Sequence, residues 1–198
     1  MHARVGFYQV KPGTLDQSLE KARNELLPRM REQPGLSRYT VVRTGPDSFV
    51  SLSRWETREQ AEQAEQTLSG WVKENMGPSV VSMQSHLGEA TLTHGQTAPD
   101  KTPKYGVVRV QTPKPDAPDL TEKMRTEFNP IFERQPGFNM RTSIAADDGT
   151  RISYTGWDSK EAWEKAEPTV SAWGEANIRP HMEKVEVHKG EVVWAVRK

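Results

Sequence analysis

The chain has 198 residues, with 27 Lys and Arg balanced by 27 Asp and Glu, and its pI is near 7.0. No cationic excess is available to drive binding to nucleic acid or an anionic membrane. A mean hydropathy of −0.80, with no apolar run near the roughly 20 residues a membrane span requires, argues against a transmembrane segment.

Met1-His2-Ala3-Arg4 has no apolar h-region, so no signal peptide is expected. A short strand follows over 5–10. Leu15, Leu19, Ala22, Leu26 and Met30 then recur at spacings of three and four, one face of a helix. Pro28 falls inside that pattern and is expected to kink or interrupt it. Pro34-Gly35 ends the segment. Two strands, 36–44 and 48–55, flank the turn Gly45-Pro46-Asp47. Glu56-Thr57-Arg58-Glu59 resembles a helix cap. It opens a second helix whose apolar stripe is Ala61, Ala64, Leu68, Trp71, Val72 and Met76. A strand region over 80–92 closes the series, with Gly88 predicted to mark a bulge or bend.

The series then repeats. Gln33-Pro34-Gly35-Leu36 returns as Gln135-Pro136-Gly137-Phe138, an offset of 102. The same gapless shift carries Pro28 to Pro130, Trp55 to Trp157, Trp71 to Trp173, Asn75 to Asn177 and His86 to His188. Pro168, inside the second copy's long helix, predicts a local distortion there. The predicted organisation is a module over 1–95, a polar Gly- and Pro-containing linker over 96–103, and a second module over 104–198. Each module reads β-α-β-β-α-β, the ferredoxin-like arrangement of an α+β protein. Two such sheets within one chain can bury what one leaves bare, so an intramolecular pseudo-dimeric barrel is expected. Further self-association stays open. Cysteine is absent, which excludes disulfides and thiolate chemistry and is compatible with the expected cytoplasmic location.

Three stretches carry a family resemblance: Pro34-Gly35-Leu36-Ser37-Arg38-Tyr39, Ser51 to Ala61 with its Arg54-Trp55-Glu56-Thr57 core, and Trp71-Val72-Lys73-Glu74-Asn75. In these, each half resembles an antibiotic biosynthesis monooxygenase-type domain of the dimeric α+β barrel superfamily. The resemblance implies a barrel made by one chain instead of two. It also implies a cofactor-independent oxygenase of a quinol- or anthrone-like aromatic, or a haem-degrading enzyme. The haem-degrading branch uses an Asn, a Trp and a His. By the gapless alignment these fall on Gly6 and Val108, on Ala64 and Ala166, and near Glu74 and Ala176. None matches, so no haem and no other cofactor is expected.

The repeated chemistry-bearing residues are few. His86 and His188 stand in His-x-Gly-Glu, with Glu89 and Glu191 three residues on. They are the candidate catalytic groups, since histidine shuttles protons near neutral pH. One His and one Glu per half is too few for a metal site. Asn75 and Asn177 lie one helical turn from Trp71 and Trp173 and could meet a ligand. Trp55 and Trp157 end a strand where a barrel mouth could lie. Arg38, Arg43 and Arg54 are opposed by Met140, Ala145 and Gly156, so one half could hold an anionic ligand while the other is structural. Each of these residues also has an ordinary structural role open to it, in the core, at a cap or at the surface.

No GxGxxG, P-loop, GxSxG or HExxH pattern is present. The expected activity is oxygenation of a small aromatic without metal or organic cofactor. Two alternatives stay open: a non-catalytic or stress-related module that binds a small hydrophobic ligand, and haem binding without the family's residues.

Overall fold

The computed structural model describes residues 1–95 and 102–198. Most of the expected linker, 96–101, lies outside the described residues. The elements are β1 (His2–Val10), α1 (Leu15–Lys21), a π turn (Ala22–Leu26), α2 (Leu27–Glu32), β2 (Leu36–Arg43), β3 (Ser48–Trp55), α3 (Arg58–Met76) and β4 (Val80–His94). The series continues with β5 (Tyr105–Pro113), α4 (Thr121–Lys123), a second π turn (Met124–Phe128), α5 (Asn129–Glu133), β6 (Phe138–Ala146), β7 (Arg151–Trp157), α6 (Lys160–Asn177), a 3-10 turn (Arg179–His181) and β8 (Met182–Arg197). This is βαββαβ twice, in the α+β class.

Contacts divide the chain into two units, Met1–Glu89 with Val193–Lys198, and Ala90–Val192. The long strands β4 and β8 therefore each contribute to both. The strands hydrogen-bond in the order β1-β3-β2-β8-β5-β7-β6-β4, and β4 pairs with β1, so the order closes as in a barrel. Of the bulge or bend expected at Gly88 and its counterpart Gly190, the bulge is not formed. Gly88 pairs regularly with Ala3 and Gly190 with Gly106. The register breaks instead at Gln9/Val10 and Thr112/Pro113. The glycines stand just before the points where β4 and β8 pass from one unit to the other.

In the first unit one face of β1, β2 and β3 packs on the helices. Tyr8, Val10, Tyr39, Val41, Phe49 and Trp55 meet Leu15, Leu19, Met30, Ala64, Leu68 and Trp71. In the second unit Tyr105, Val107 and Trp157 meet Phe128, Phe132, Trp163, Ala166 and Val170. Alternation along the strands puts the neighbouring residues on the opposite face.

Pro28 and Pro130 act as expected and shape the helices. Pro28 and Pro130 lack an N–H and would clash with the preceding turn of an α-helix. The chain widens to a π turn just before each. Leu27 N–H bonds to Ala22 O, and Asn129 N–H bonds to Met124 O. Pro168, by contrast, sits inside an α6 that continues to Asn177. Gly35 and Gly137 adopt φ of +73° and +81°, the left-handed region open to glycine. A side chain on Gly35 would collide with the Gln60 carboxamide. That carboxamide accepts from Thr57 N–H at 3.0 Å, while Gln60 N–H donates to Thr57 Oγ1 at 3.3 Å, a complete capping box. Ser159 Oγ also caps its helix, α6, accepting from Ala162 N–H at 3.2 Å.

Candidate functional site

Strand register corrects the expected repeat. His2 pairs with Trp55 and Glu89, and Tyr105 pairs with Trp157 and Glu191. Between β1 and β5 the offset is therefore 103, while the third strands, the π turns and the long helices keep 102. The second copy is one residue shorter between its first strand and its π turn. Gly6, opposite Ser51, thus corresponds to Arg109, opposite Ser153, and not to Val108. Arg4 corresponds to Val107 and Tyr8 to Gln111.

Those exchanges make the space between sheet and helices differ in the two modules. In the first, Arg4 is fully buried and turns over Gly6. Its guanidinium donates to Glu65 Oε2, to Ser51 Oγ at 2.8 Å and to the Tyr8 hydroxyl at 2.7 Å. Ser85 Oγ donates to the other Glu65 oxygen at 3.0 Å. Tyr39 closes the neighbouring strand, 2% exposed, and burial pushes its phenol well above the ordinary range. This network fills the space at Gly6: a Cβ there would run into Arg4 Nη1 and the Tyr8 ring.

In the second module the same space opens as a cleft. One cavity of about 140 Å³ is lined by Arg109, Phe128, Phe132, Arg141, Glu167 and Ile178, among others. A second, of about 90 Å³, opens beside the 114–120 segment. The two share Gln111, Arg141, Ser153 and Ile178. Arg109 projects from the helix-facing side of β5, with its guanidinium 5.0 Å from the centre of the Trp163 ring. Burial lowers its pKa and Glu167 opposes that shift. Arg141 occupies the place of Tyr39. It donates from Nη1 to Asn129 Oδ1 at 3.0 Å and from Nη2 to Met124 Sδ at 3.5 Å. Its pKa is pushed down to about 10, first by burial and then by Arg109, so it stays cationic at neutral pH. The π turn before Pro130 helps build this site, because Met124, Phe128 and Asn129 are set against Arg141 by it.

Residues 1–69 match the family described as antibiotic biosynthesis monooxygenase. Over that stretch the first module is similar to the family. Among curated protein sequences none matches the chain. Solved structures match over nearly the whole length. A protein named as a candidate monooxygenase from Fusobacterium nucleatum subsp. nucleatum is 10% identical, with 100% of this chain and 94% of that one covered and a TM-score of 0.75. A similarly named protein from Lactobacillus acidophilus is 9% identical, over 99% and 95%, at 0.76. An anthrone oxidase-like protein is 15% identical, over 99% and 92%, at 0.70. At these identities the likeness is one of fold.

Within this fold the sequence candidates scatter. His86 lies on β4 opposite Val5, on the sheet face away from the helices, with its ring 5.8 Å from Phe7. His188 lies opposite Val108 on the corresponding face. Neither lines either cavity of the cleft. Asn75 and Asn177 each donate Nδ2 to the carbonyl one turn back, of Trp71 and Trp173, at 2.9 Å. Trp71 is in the first core, and Trp173 stacks on Phe128 with ring centres 4.3 Å apart. Trp55 and Trp157 are buried, and their indole N–H groups bond within their own strands to Ser53 Oγ and Thr155 Oγ1 at 3.0 Å. Arg54 donates to Ser37 Oγ at 2.9 Å, and burial followed by Arg197 lowers its pKa. Arg38 lies on the same face, away from the helices, and Arg43 pairs with Asp16 at the surface.

The residues that do converge, Arg109 and Arg141, were not among the sequence candidates. A signal existed in Val107-Val108-Arg109-Val110, an arginine at an apolar strand position, but it needs the correct register to be read. Among the described residues no three His, Asp or Glu side chains converge as a metal site, and no helix is long and apolar enough to cross a membrane.

Proposed function

We propose that the chain is a cofactor-independent monooxygenase of a small electron-rich phenol or quinol, with its one site in the cleft of the second module. The supporting observation is Arg109: a guanidinium stacked on Trp163, inside an aromatic cleft, with Glu167 beside it. A desolvated cation held where negative charge develops is the largest lever such a site has. Cavities of about 140 and 90 Å³ are small against the few hundred Å³ of drug-sized pockets. They favour one or two rings over a three-ring anthrone.

Glu167 accepts the phenolic proton, and Arg109 stabilises the phenolate. The anion places electron density on a ring carbon, which reduces dioxygen and forms a C–O bond to give a ring peroxide. That carbon then loses its hydrogen as a proton while the O–O bond breaks. One oxygen stays as a quinone carbonyl and the other leaves as water. The substrate supplies all four electrons, so phenol plus dioxygen becomes quinone plus water. The apolar walls of Phe128, Phe132 and Ile178 keep bulk water from the anion.

Oxygen uptake with a panel of hydroquinones, naphthols and anthrones tests the reading. Uptake matched by quinone carrying label from labelled dioxygen is the expected result. Binding without any uptake across the panel leaves the passive ligand-binding alternative.

A further inference from the structure

Arg141 is not used by the oxygen chemistry above. It is the more deeply enclosed of the two cations, 3% exposed. Its contacts are Asn129 Oδ1, Met124 Sδ and the faces of Phe128 and Phe132, with ring centres 5.3 and 5.6 Å away. All are neutral, and among the described residues no carboxylate pairs with it. Its surroundings are short of acceptors as well. Asn129 is fully buried with no partner for Nδ2, and Ser143 Oγ, on the same face two residues along β6, has none within the chain. Buried donors without acceptors and a buried cation without a counter-charge are both costly. Arg109 adds a second positive charge to the same cleft. The first module resolves the same problem differently, with neutral Tyr39 at this position and a carboxylate, Glu65, for its own buried arginine.

We infer that the cleft takes an aromatic acid: Arg141 holds the ligand's carboxylate, aided by Asn129 Nδ2 and Ser143 Oγ, and the ring packs on Phe128 and Phe132. A simple phenol, with a pKa near 10, is neutral at pH 7 and supplies no counter-charge. A carboxylate is anionic there, and its two oxygens match the guanidinium fork. The inference rests on the proposed oxygenase only in placing the ligand's hydroxyl at Arg109. The substrate class is then a small hydroxylated aromatic carboxylic acid.

The test is calorimetric titration of the full chain with 4-hydroxybenzoate, with intrinsic tryptophan fluorescence in parallel, because Trp163 lies against Arg109 and Trp173 against Phe128, both of which line the cleft. The controls are 4-hydroxybenzamide, the neutral isostere, and inorganic phosphate. The acid is expected to bind at least tenfold more tightly than the amide and than phosphate. Arg141→Tyr, which installs the first module's residue, is expected to weaken the acid tenfold or more. Arg141→Lys, which keeps the charge and loses the fork, should fall between. Equal affinity for acid and amide, equal affinity for acid and phosphate, or wild-type binding in the Arg141→Lys variant would each overturn the inference. If Arg141→Tyr fails to fold, the native-protein comparison and Arg141→Lys still decide. Acid binding with no oxygen uptake would sink the oxygenase and leave this inference standing. Turnover of neutral quinols with no acid binding would do the reverse.

Discussion

Gly6 and Arg109 hold the same place in their sheets, opposite Ser51 and Ser153. In the first module the guanidinium of Arg4 lies over the glycine. In the second, Arg109 itself reaches the helix-facing space. Arg109→Gly should therefore remove the anion-stabilising cation without disturbing the rest of the sheet. Loss of one such donor costs about 10²–10³-fold in kcat, and oxygen uptake would read it. Unchanged uptake in a folded variant would place the chemistry elsewhere.

The first module's network should behave as structure. Glu65→Gln leaves Arg4 buried without its counter-charge, and breaking such a pair costs about 3–5 kcal/mol. Gly6→Ala forces a methyl against Arg4 and Tyr8, an overpacking worth about 1–3 kcal/mol. Urea denaturation should report both losses, while aromatic binding in the second module stays as in the parent.

His86 and His188 lie on the sheet face away from the cleft. The double variant His86→Ala with His188→Ala is expected to keep both ligand affinity and oxygen uptake within about twofold. A collapse of uptake with intact folding would restore the histidines as catalytic groups.

His188 should still mark the pH dependence of stability. Burial lowers its pKa, with Glu186 opposing. A histidine lowered by folding is protonated first in the unfolded chain. Its contribution is thus intact above the ordinary value of about 6.5, and is lost as pH falls from there through the folded-state value. Urea midpoints measured downward from pH 7.5 should show this decline, and His188→Gln should flatten it. An unchanged slope would remove His188 from the account.

Much of the fold is legible in the sequence because its punctuation is chemically strict. Pro34-Gly35 and Pro136-Gly137 require a positive φ, Thr57 and Ser159 cap helices, and Pro28 and Pro130 disrupt an α-helical ladder in both copies. The cleft is not legible, for a reason of period. Strand side chains alternate with period two, so a one-residue slip exchanges the two faces. The constant offset of 102 sets Gly6 against Val108, which faces away from the helices, and so conceals Arg109. Nothing in Arg38, Arg43 or Arg54, all in the better-matched first half, points to the second module. Arg141 replaces a tyrosine, and its environment depends on a π turn that residue patterning does not reveal.

The central claim is that one module binds and the other does not. The stoichiometry of aromatic-acid binding tests it most directly. Calorimetric titration should give one site per chain, and Arg109→Gly should weaken that site while Glu65→Gln leaves it in place. Two equivalent sites per chain, or one site lost on changing Glu65 and kept on changing Arg109, would contradict the account.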